Sequence, residues 1–288
     1  MKPQQIDGFS DYVNGSVTVA LAEDVGPGDL TAELVPAGQL AQAKVLARED
    51  CIVCGRPWFD EVFRQLDATI TVDWHLDEGE RIEAGHSICT VSGLARSVLT
   101  GERTALNFLQ LLSATATTAR KYIDAVAGTR ATILDTRKTI PGLRLAQKYA
   151  VQTGGAQNHR LGLYDAVLIK ENHIAAGGGI CKTLETALKL ANHVLVEIEV
   201  ETLDQARESL EAGAHRLLLD NFSNDDLAAA VQLRDDIAPT ITLEASGGIT
   251  LANIRTIAET GVDFISIGAL TKDLQAIDLS MQFDIQAD

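Results

Sequence analysis

Ala166-Val-Leu-Ile-Lys170 is a run of four apolar residues closed by a lysine, and its plan recurs from Ala131 onward. The other copies are Ala131-Thr-Ile-Leu-Asp135, Val194-Leu-Val-Glu-Ile-Glu199, Arg216-Leu-Leu-Leu-Asp220, Ile241-Thr-Leu-Glu-Ala-Ser246 and Phe264-Ile-Ser-Ile-Gly268. Each reads as a buried strand with a distinctive residue at or near its end, followed by helix-like sequence. Their ends fall roughly 20–35 residues apart, the size of successive βα units. Right-handed crossovers between six such units give a doubly wound sheet or a barrel. No G-x-G-x-x-G follows the first strand, which argues against a dinucleotide-binding sheet. A barrel gathers every strand end around one mouth, whereas an open sheet brings together only those at its switch point. An α/β fold with a parallel α/β barrel is therefore expected.

The first hundred residues read differently. Residues 41–55 and 68–74 are strand-like, and residues 57–66 are an amphipathic helix. Short glycine-punctuated strands between Asp77 and Gly93 resemble hammerhead or lipoyl-type hairpins. No lysine stands between Asp73 and Gly93 to serve as a swinging arm, so they read as structural. An N-terminal α/β hammerhead-like sandwich is expected over residues 1–115, the barrel over 116–275, and a tail over 276–288 that packs back on the first domain. Glu102-Arg-Thr-Ala-Leu-Asn-Phe-Leu-Gln110 is expected to open a long helix, on which Arg103 reads as a solvated charge.

Composition sets limits. The chain of 288 residues carries a formal −16, yet six Lys or Arg and a single acid, Asp165, lie between Arg137 and Lys170. A basic island in an acidic chain suits a concave site for a multiply anionic small molecule and argues against nucleic acid. The longest uncharged run, residues 104–119, is too short and polar to span a bilayer, and no signal peptide is recognisable. A cytoplasmic protein is expected. Cys51 and Cys54 form a C-x-x-C pair, but Ile52 and Val53 between them read as strand and no second pair completes a zinc site.

The strand ends carry the chemistry. Asp135-Thr-Arg-Lys-Thr-Ile-Pro-Gly142 places Arg137 and Lys138 together, so an anion or a carboxylate is expected beside them; pairing to Asp135 in a surface loop is the structural alternative. His159 adjoins Arg160 after a glycine pair. Arginine suits planar carboxylates and lysine suits phosphate. Lys170 fits a Schiff base, an anion contact, or a simple pairing with Glu199 or Asp220. Glu197, Glu199 and Glu201 share one strand face. Glu199, with Asp220, is placed to hold Mg²⁺ through water or to meet ribose hydroxyls, whereas Glu197 lies deeper without an assigned role. The turns Ser246-Gly247-Gly248 and Ser266-Ile267-Gly268 are expected to turn backbone N–H groups toward a phosphate.

Glu102-Arg-Thr-Ala-Leu-Asn, Asp135-Thr-Arg-Lys-Thr, Lys148-Tyr-Ala-Val, Asn158-His-Arg-Leu-Gly-Leu, Ile169-Lys-Glu-Asn-His-Ile174, Leu219-Asp-Asn-Phe222, Glu244-Ala-Ser-Gly-Gly-Ile249 and Ile265-Ser-Ile-Gly-Ala269 occur in this order. Together, and with Gly28-Asp-Leu-Thr-Ala32 near the start, they resemble the bacterial nicotinate-nucleotide pyrophosphorylase (carboxylating), or quinolinate phosphoribosyltransferase, family. The resemblance implies an incomplete barrel of seven strands, one more than the six counted. It implies that quinolinate and phosphoribosyl pyrophosphate give nicotinate mononucleotide, CO₂ and pyrophosphate, with Mg²⁺, in NAD synthesis. It implies a homodimer in which Arg103 reaches the neighbouring site.

By matched motif, the resemblance places Arg103, Thr136, Arg137, Lys138, His159, Arg160 and Lys170 around the carboxylates and pyrophosphate. Glu199 and Asp220 fall at the ribose and metal side, with Lys138, Lys170, Glu199 and Asp220 as the catalytic set and the metal held indirectly. The two glycine turns, Ser246-Gly247-Gly248 and Ser266-Ile267-Gly268, are implied to hold the 5′-phosphate. Ile140 stands where a second Thr is common and Ala156 where a third Gly is common. The rival readings are a paralogue acting on nicotinate or another pyridine or pyrimidine acid, a Schiff-base lyase using Lys170, and a silent phosphate-binding regulator.

Overall fold

A computed structural model describes residues 7–191 and 193–285. The chain begins α1 (Phe9–Val25), β1 (Leu40–Ala47), β2 (Cys51–Ile52), α2 (Arg56–Leu66), β3 (Thr71–Trp74), β4 (Arg81–Ile82), β5 (Ser87–Leu94) and α3 (Ala95–Ala125). It continues β6 (Thr132–Leu134), α4 (Arg144–Thr153), β7 (Ala166–Ile169), α5 (Glu171–Gly177), α6 (Ile180–Leu190), β8 (Leu195–Val200) and α7 (Leu203–Glu211). The last elements are β9 (Arg216–Asp220), α8 (Asn224–Ile237), β10 (Thr242–Ser246), α9 (Ile254–Glu259), β11 (Phe264–Ser266), α10 (Ala269–Lys272) and β12 (Leu279–Ile285). They form two compact units: Met1–Arg120 with Ile140–Gly155 and Asp273–Asp288, and Lys121–Thr139 with Ala156–Lys272. No helix among the described residues is long and apolar enough to cross a membrane.

In the first unit an antiparallel sheet runs β12-β1-β5-β3, and β2 pairs with β4. Alternation along β1 buries Ala41, Ala43, Val45 and Ala47 and turns the intervening residues outward. Pro57 sits in the first turn of α2, and Trp58, Phe59, Val62 and Phe63 form its buried stripe. Trp58 is fully buried, packs edge-on to Tyr149 with ring centroids 5.4 Å apart, and donates from its indole N–H to Ser16 Oγ at 3.0 Å. Tyr149, Ala146 and Ala150 join this cluster, so α4 belongs to the first unit, although the sequence boundaries put it with the barrel. β12 lies along β1, with Ala41 opposite Ile285 and Ala47 opposite Leu279. Of the expected tail, residues 286–288 lie outside the described residues. The long helix starts at Ala95, earlier than the expected opening at Glu102, because residues 95–101 continue its helical turns directly from the end of β5. Cys51 and Cys54 are buried free thiols, both pushed up by burial, the first to about 11.

In the second unit six parallel strands run β6-β11-β10-β9-β8-β7. Read by their sequence order within this unit, that is 1-6-5-4-3-2, the cyclic order of a barrel cut between its first two strands. At the cut, the isolated bridge Leu134–Gln157 joins β6 to the chain ahead of β7. The sheet is barrel-like and open. It holds six strands among the described residues, so the seventh implied by the resemblance is absent from it. Val196, Ile198 and Val200 on β8, and Leu217 and Leu219 on β9, are buried on the face opposite Glu197, Glu199, Arg216 and Asp220. Ser223 caps α8, its hydroxyl accepting the Asp226 N–H at 3.2 Å, with Asp225 and Asp226 in the first turn.

Candidate active site

Because all six strands are parallel, their C-terminal ends share one rim. Register fixes who meets whom. Glu199 pairs with Leu218, so Asp220 stands one step further along the same face of the neighbouring strand, and Asp220 in turn pairs with Ser246. Lys170, immediately after β7, reaches Glu199, with Nζ 2.6 Å from Oε2. Burial raises the Asp220 carboxyl above its ordinary range and the nearby charge of Glu199 raises it further, against the pull of Lys170 and Lys138. Two like charges are thus held together beside two lysines.

The loop after β6 supplies Lys138. Its backbone N–H donates to Thr136 Oγ1 at 3.1 Å, and Thr271 Oγ1 donates to its carbonyl at 2.8 Å. Its stem crosses Gly268 so closely that a Cβ there would stand 2.9 Å from Lys138 Cδ. That approach brings Lys138 onto the turn expected to meet phosphate, and a side chain at Gly268 would displace the lysine stem. Gly247 is constrained similarly: its φ is +95°, and a Cβ would lie 2.1 Å from Asn221 Oδ1. Asn221 itself has a φ of 56°, donates its N–H to Ser246 O at 2.9 Å, and donates from Nδ2 to Asp220 Oδ2 at 2.8 Å. Asn221 therefore ties the Asp220 carboxylate to the glycine turn, a role that sequence reading did not assign it.

Arg160 and Arg137 stand near one another: burial lowers the Arg160 pKa, and the Arg137 charge lowers it further. Arg160 Nη1 donates to Ala166 O at 3.3 Å. Asp135, fully buried, accepts from the His159 N–H at 2.8 Å and from Asn158 Nδ2 at 2.7 Å. His173, left open by the sequence, accepts the Lys170 N–H at 2.9 Å and closes the first turn of α5. Ser266 is buried and its hydroxyl bonds Glu244, while the Ile267 N–H donates to Leu134 O at 2.9 Å. The second turn thus directs part of its polarity inward.

The basic island is divided. Arg137, Lys138, Arg160 and Lys170 lie in the second unit, with His159, Glu199, Asp220, Ser246, Gly247, Gly248 and Ser266. Arg144, the fully buried Lys148, and Arg103 lie in the first. Arg103 is exposed on α3 and forms no ion pair among the described residues.

A second polar group sits deeper. His159, Glu197 and Glu244 have ligand-type atoms within 4.8 Å of one another. His159 Nε2 is 2.8 Å from Glu197 Oε2 and 3.5 Å from Glu244 Oε2, and Arg216 Nη1 is 3.3 Å from Glu244 Oε2. Burial and the neighbouring Glu197 push Glu244 up to about 8. Glu197 is also raised, chiefly by burial. Glu244 and Arg216 received no role from the sequence. Their signal was there: each shares the parity of a rim residue, Ser246 or Asp220, on an otherwise apolar strand.

Two family models match, the quinolinate phosphoribosyl transferase N-terminal domain over residues 29–113 and its C-terminal domain over residues 115–282. A probable nicotinate-nucleotide pyrophosphorylase [carboxylating] of Synechocystis sp. is 41% identical over 263 residues, covering 91% of this chain and 89% of that one. The nicotinate-nucleotide pyrophosphorylase [carboxylating] of Mycobacterium leprae is 41% identical over 278 residues, covering 94% and 97%. The solved nicotinate-nucleotide pyrophosphorylase of Francisella tularensis superposes with a TM-score of 0.94 at 44% identity, covering 99% of both chains. With matches in both units and a rim that gathers cations, paired acids and glycine turns, the chain belongs to the quinolinate phosphoribosyltransferase family.

Proposed function

We propose that the protein is a pentosyltransferase that moves the phosphoribosyl group of phosphoribosyl pyrophosphate to quinolinate with loss of CO₂. The products are nicotinate mononucleotide and pyrophosphate, for NAD synthesis. The observation that carries this is the meeting, on one strand-end rim, of Lys138, Lys170, Glu199 and Asp220 with the Arg137–Arg160 pair. Quinolinate brings two carboxylates and its partner a phosphate and a pyrophosphate, a load that several desolvated cations must match.

In this reading Arg137 and Arg160 grip the planar carboxylates, with Thr136 and His159 beside them. Lys138 and Lys170 meet the pyrophosphate, and the turns at residues 246–248 and 266–268 take the 5′-phosphate. Glu199 and Asp220 face the ribose hydroxyls. The ring nitrogen attacks an oxocarbenium-like C1 as pyrophosphate leaves with the C1–O electron pair. The ribosylated, positive nitrogen then stabilises the electron pair left on C2 when CO₂ departs, and a proton replaces it. Positioning and charge compensation matter more here than a strong base.

Glu199 and Asp220 also fit Mg²⁺. They offer hard oxygen donors on adjacent strands, and the charge of Glu199 raises Asp220, a pair that an added cation relieves. Held there through water or substrate oxygens, Mg²⁺ would neutralise pyrophosphate charge. A homodimer in which Arg103 reaches the neighbouring site is supported by its exposure without an ion pair, and a cytoplasmic enzyme is the matching location. Lys170, held in an ion pair with Glu199, gives the Schiff-base lyase no support.

The test offers quinolinate and nicotinate separately, each with phosphoribosyl pyrophosphate and Mg²⁺, and measures pyrophosphate and CO₂. Both products are expected from quinolinate alone. Turnover with nicotinate alone would overturn the substrate, and silence with both would overturn the transferase.

A further inference from the structure

The polar group beneath the rim has a donor deficit. Oε1 of Glu197 and Oε1 of Glu244 are sealed from solvent with no donor among the described residues, and Glu197 Oε2 faces His159 Nε2 at 2.8 Å. Glu244 is fully buried and Glu197 nearly so. Unpaired buried acceptors are costly, so the deficit is expected to be met.

A metal ion is the first candidate, since one His and two Glu are an ordinary donor set. The charges around it argue otherwise. Arg216 Nη1 already stands 3.3 Å from Glu244 Oε2, and Arg160 acts on Glu197 as a second positive charge. A dication would be repelled by both. The His159 ring nitrogen Nε2 already faces both acids.

His159 Nδ1 accepts the Arg160 backbone N–H at 2.7 Å, so this nitrogen carries no hydrogen and the hydrogen on Nε2 faces the two acids. Arg216 holds Glu244 from the other side, with Nη1 3.3 Å from Oε2.

We propose that Glu244 is a positioning residue: with Glu197 it fixes the His159 ring, and through the His159–Arg160 hydrogen bond it sets Arg160 for the substrate carboxylates. This rests on the reading of Arg160 as a carboxylate-binding cation. The chain of contacts is continuous, from Arg216 on β9 through Glu244 on β10 to His159 and then Arg160. Ser266 on β11 adds a hydrogen bond to Glu244, and Glu197 on β8 flanks the ring. The deep acids thereby act at the rim without touching substrate.

Glu244→Gln, Glu244→Leu and Glu244→Asp separate this from a purely structural role. Glutamine keeps the length of the side chain and an oxygen that can accept from Arg216 or Ser266. It is expected to hold KM for quinolinate within about threefold of wild type. Leucine removes the polar link and aspartate withdraws it by one methylene; each is expected to raise that KM about tenfold or more, with KM for phosphoribosyl pyrophosphate nearly unchanged. Should Glu244→Leu fail to fold, Glu244→Asp carries the test. Equal KM values in all variants, or parallel loss for both substrates that tracks melting temperature, would overturn the proposal. Nitrogen-15 NMR of the histidines, with His159 assigned by its loss in His159→Asn, is expected to give an Nε2–H ring at neutral pH. An Nδ1–H ring would overturn it equally. The NMR result decides the proposal even if wild type fails to turn over quinolinate, an outcome that would sink the functional reading alone.

Discussion

The two units of this chain fill their interiors in opposite ways. In the first, α2 and the strands around it enclose Trp58, Phe59, Phe63, Ile88 and Val91, an apolar centre joined by aromatic contacts. In the second, the inward face of the parallel sheet carries Glu197, Arg216, Glu244 and Ser266, with the Arg216 guanidinium 3.9 Å above the Phe264 ring. Apolar burial stabilises without further requirements, whereas buried charge does so only if every partner is in place. The charged interior lies beneath the rim that gathers the candidate catalytic groups. The contrast predicts that substitutions in the first interior lower stability, and those in and above the second lower activity.

The largest expected effect is Trp58→Ala. It removes a fully buried indole and its bond to Ser16, for a loss of about 3–5 kcal/mol in urea unfolding. A loss below about 1 kcal/mol would show that this cluster is not the centre of its unit. The second is Arg137→Ala. Losing one charge-assisted contact to a carboxylate is expected to lower kcat/KM for quinolinate by at least ~2 kcal/mol, with little change in melting temperature. A near-normal kcat/KM would remove Arg137 from the site.

Third comes the pH dependence of the buried acid. Glu244 is pushed from its ordinary 4.5 up to about 8 by burial and by Glu197, with His159, Ser266 and Arg216 pulling the other way. The folded chain therefore keeps a proton that the unfolded chain has released at neutral pH. Stability from this group is complete below about 4.5 and is lost as pH rises through about 8. Wild type should fall relative to Glu244→Gln by about 1–3 kcal/mol between pH 5 and 9, measured by urea midpoints. A flat difference would place the proton elsewhere.

Much of the second unit was readable from residues alone. Six apolar runs ending in distinctive residues set the strand count, and the parity of Glu197 and Glu199 put them on one face of their strand, as the register has it. Other features escaped because they depend on contacts distant in sequence. α4 follows β6 directly, yet Tyr149 meets Trp58, so its unit could not be read from order along the chain. Asn221 had no role in the sequence, because its left-handed backbone and its place against Gly247 exist only in the fold. Glu244 was visible as an acid on an apolar strand, but its partner His159 comes from a loop that nothing local ties to β10.

The smallest effect probes whether stability and activity separate even at the rim. α8 starts three residues after Asn221, and its Ser223 hydroxyl accepts the Asp226 N–H while donating to Asp226 Oδ2 at 2.7 Å. Ser223→Ala leaves one orphan amide at the helix start, which is expected to cost about 1 kcal/mol of stability. Asp220 and Asn221 are held from the other side by the bond from the Asn221 N–H to Ser246 O, so KM for phosphoribosyl pyrophosphate should stay at its wild-type value. A KM that rises along with the lost stability would mean that the cap also sets the carboxylate. The division between a supporting scaffold and a reacting rim would then fail at the point where helix and rim adjoin.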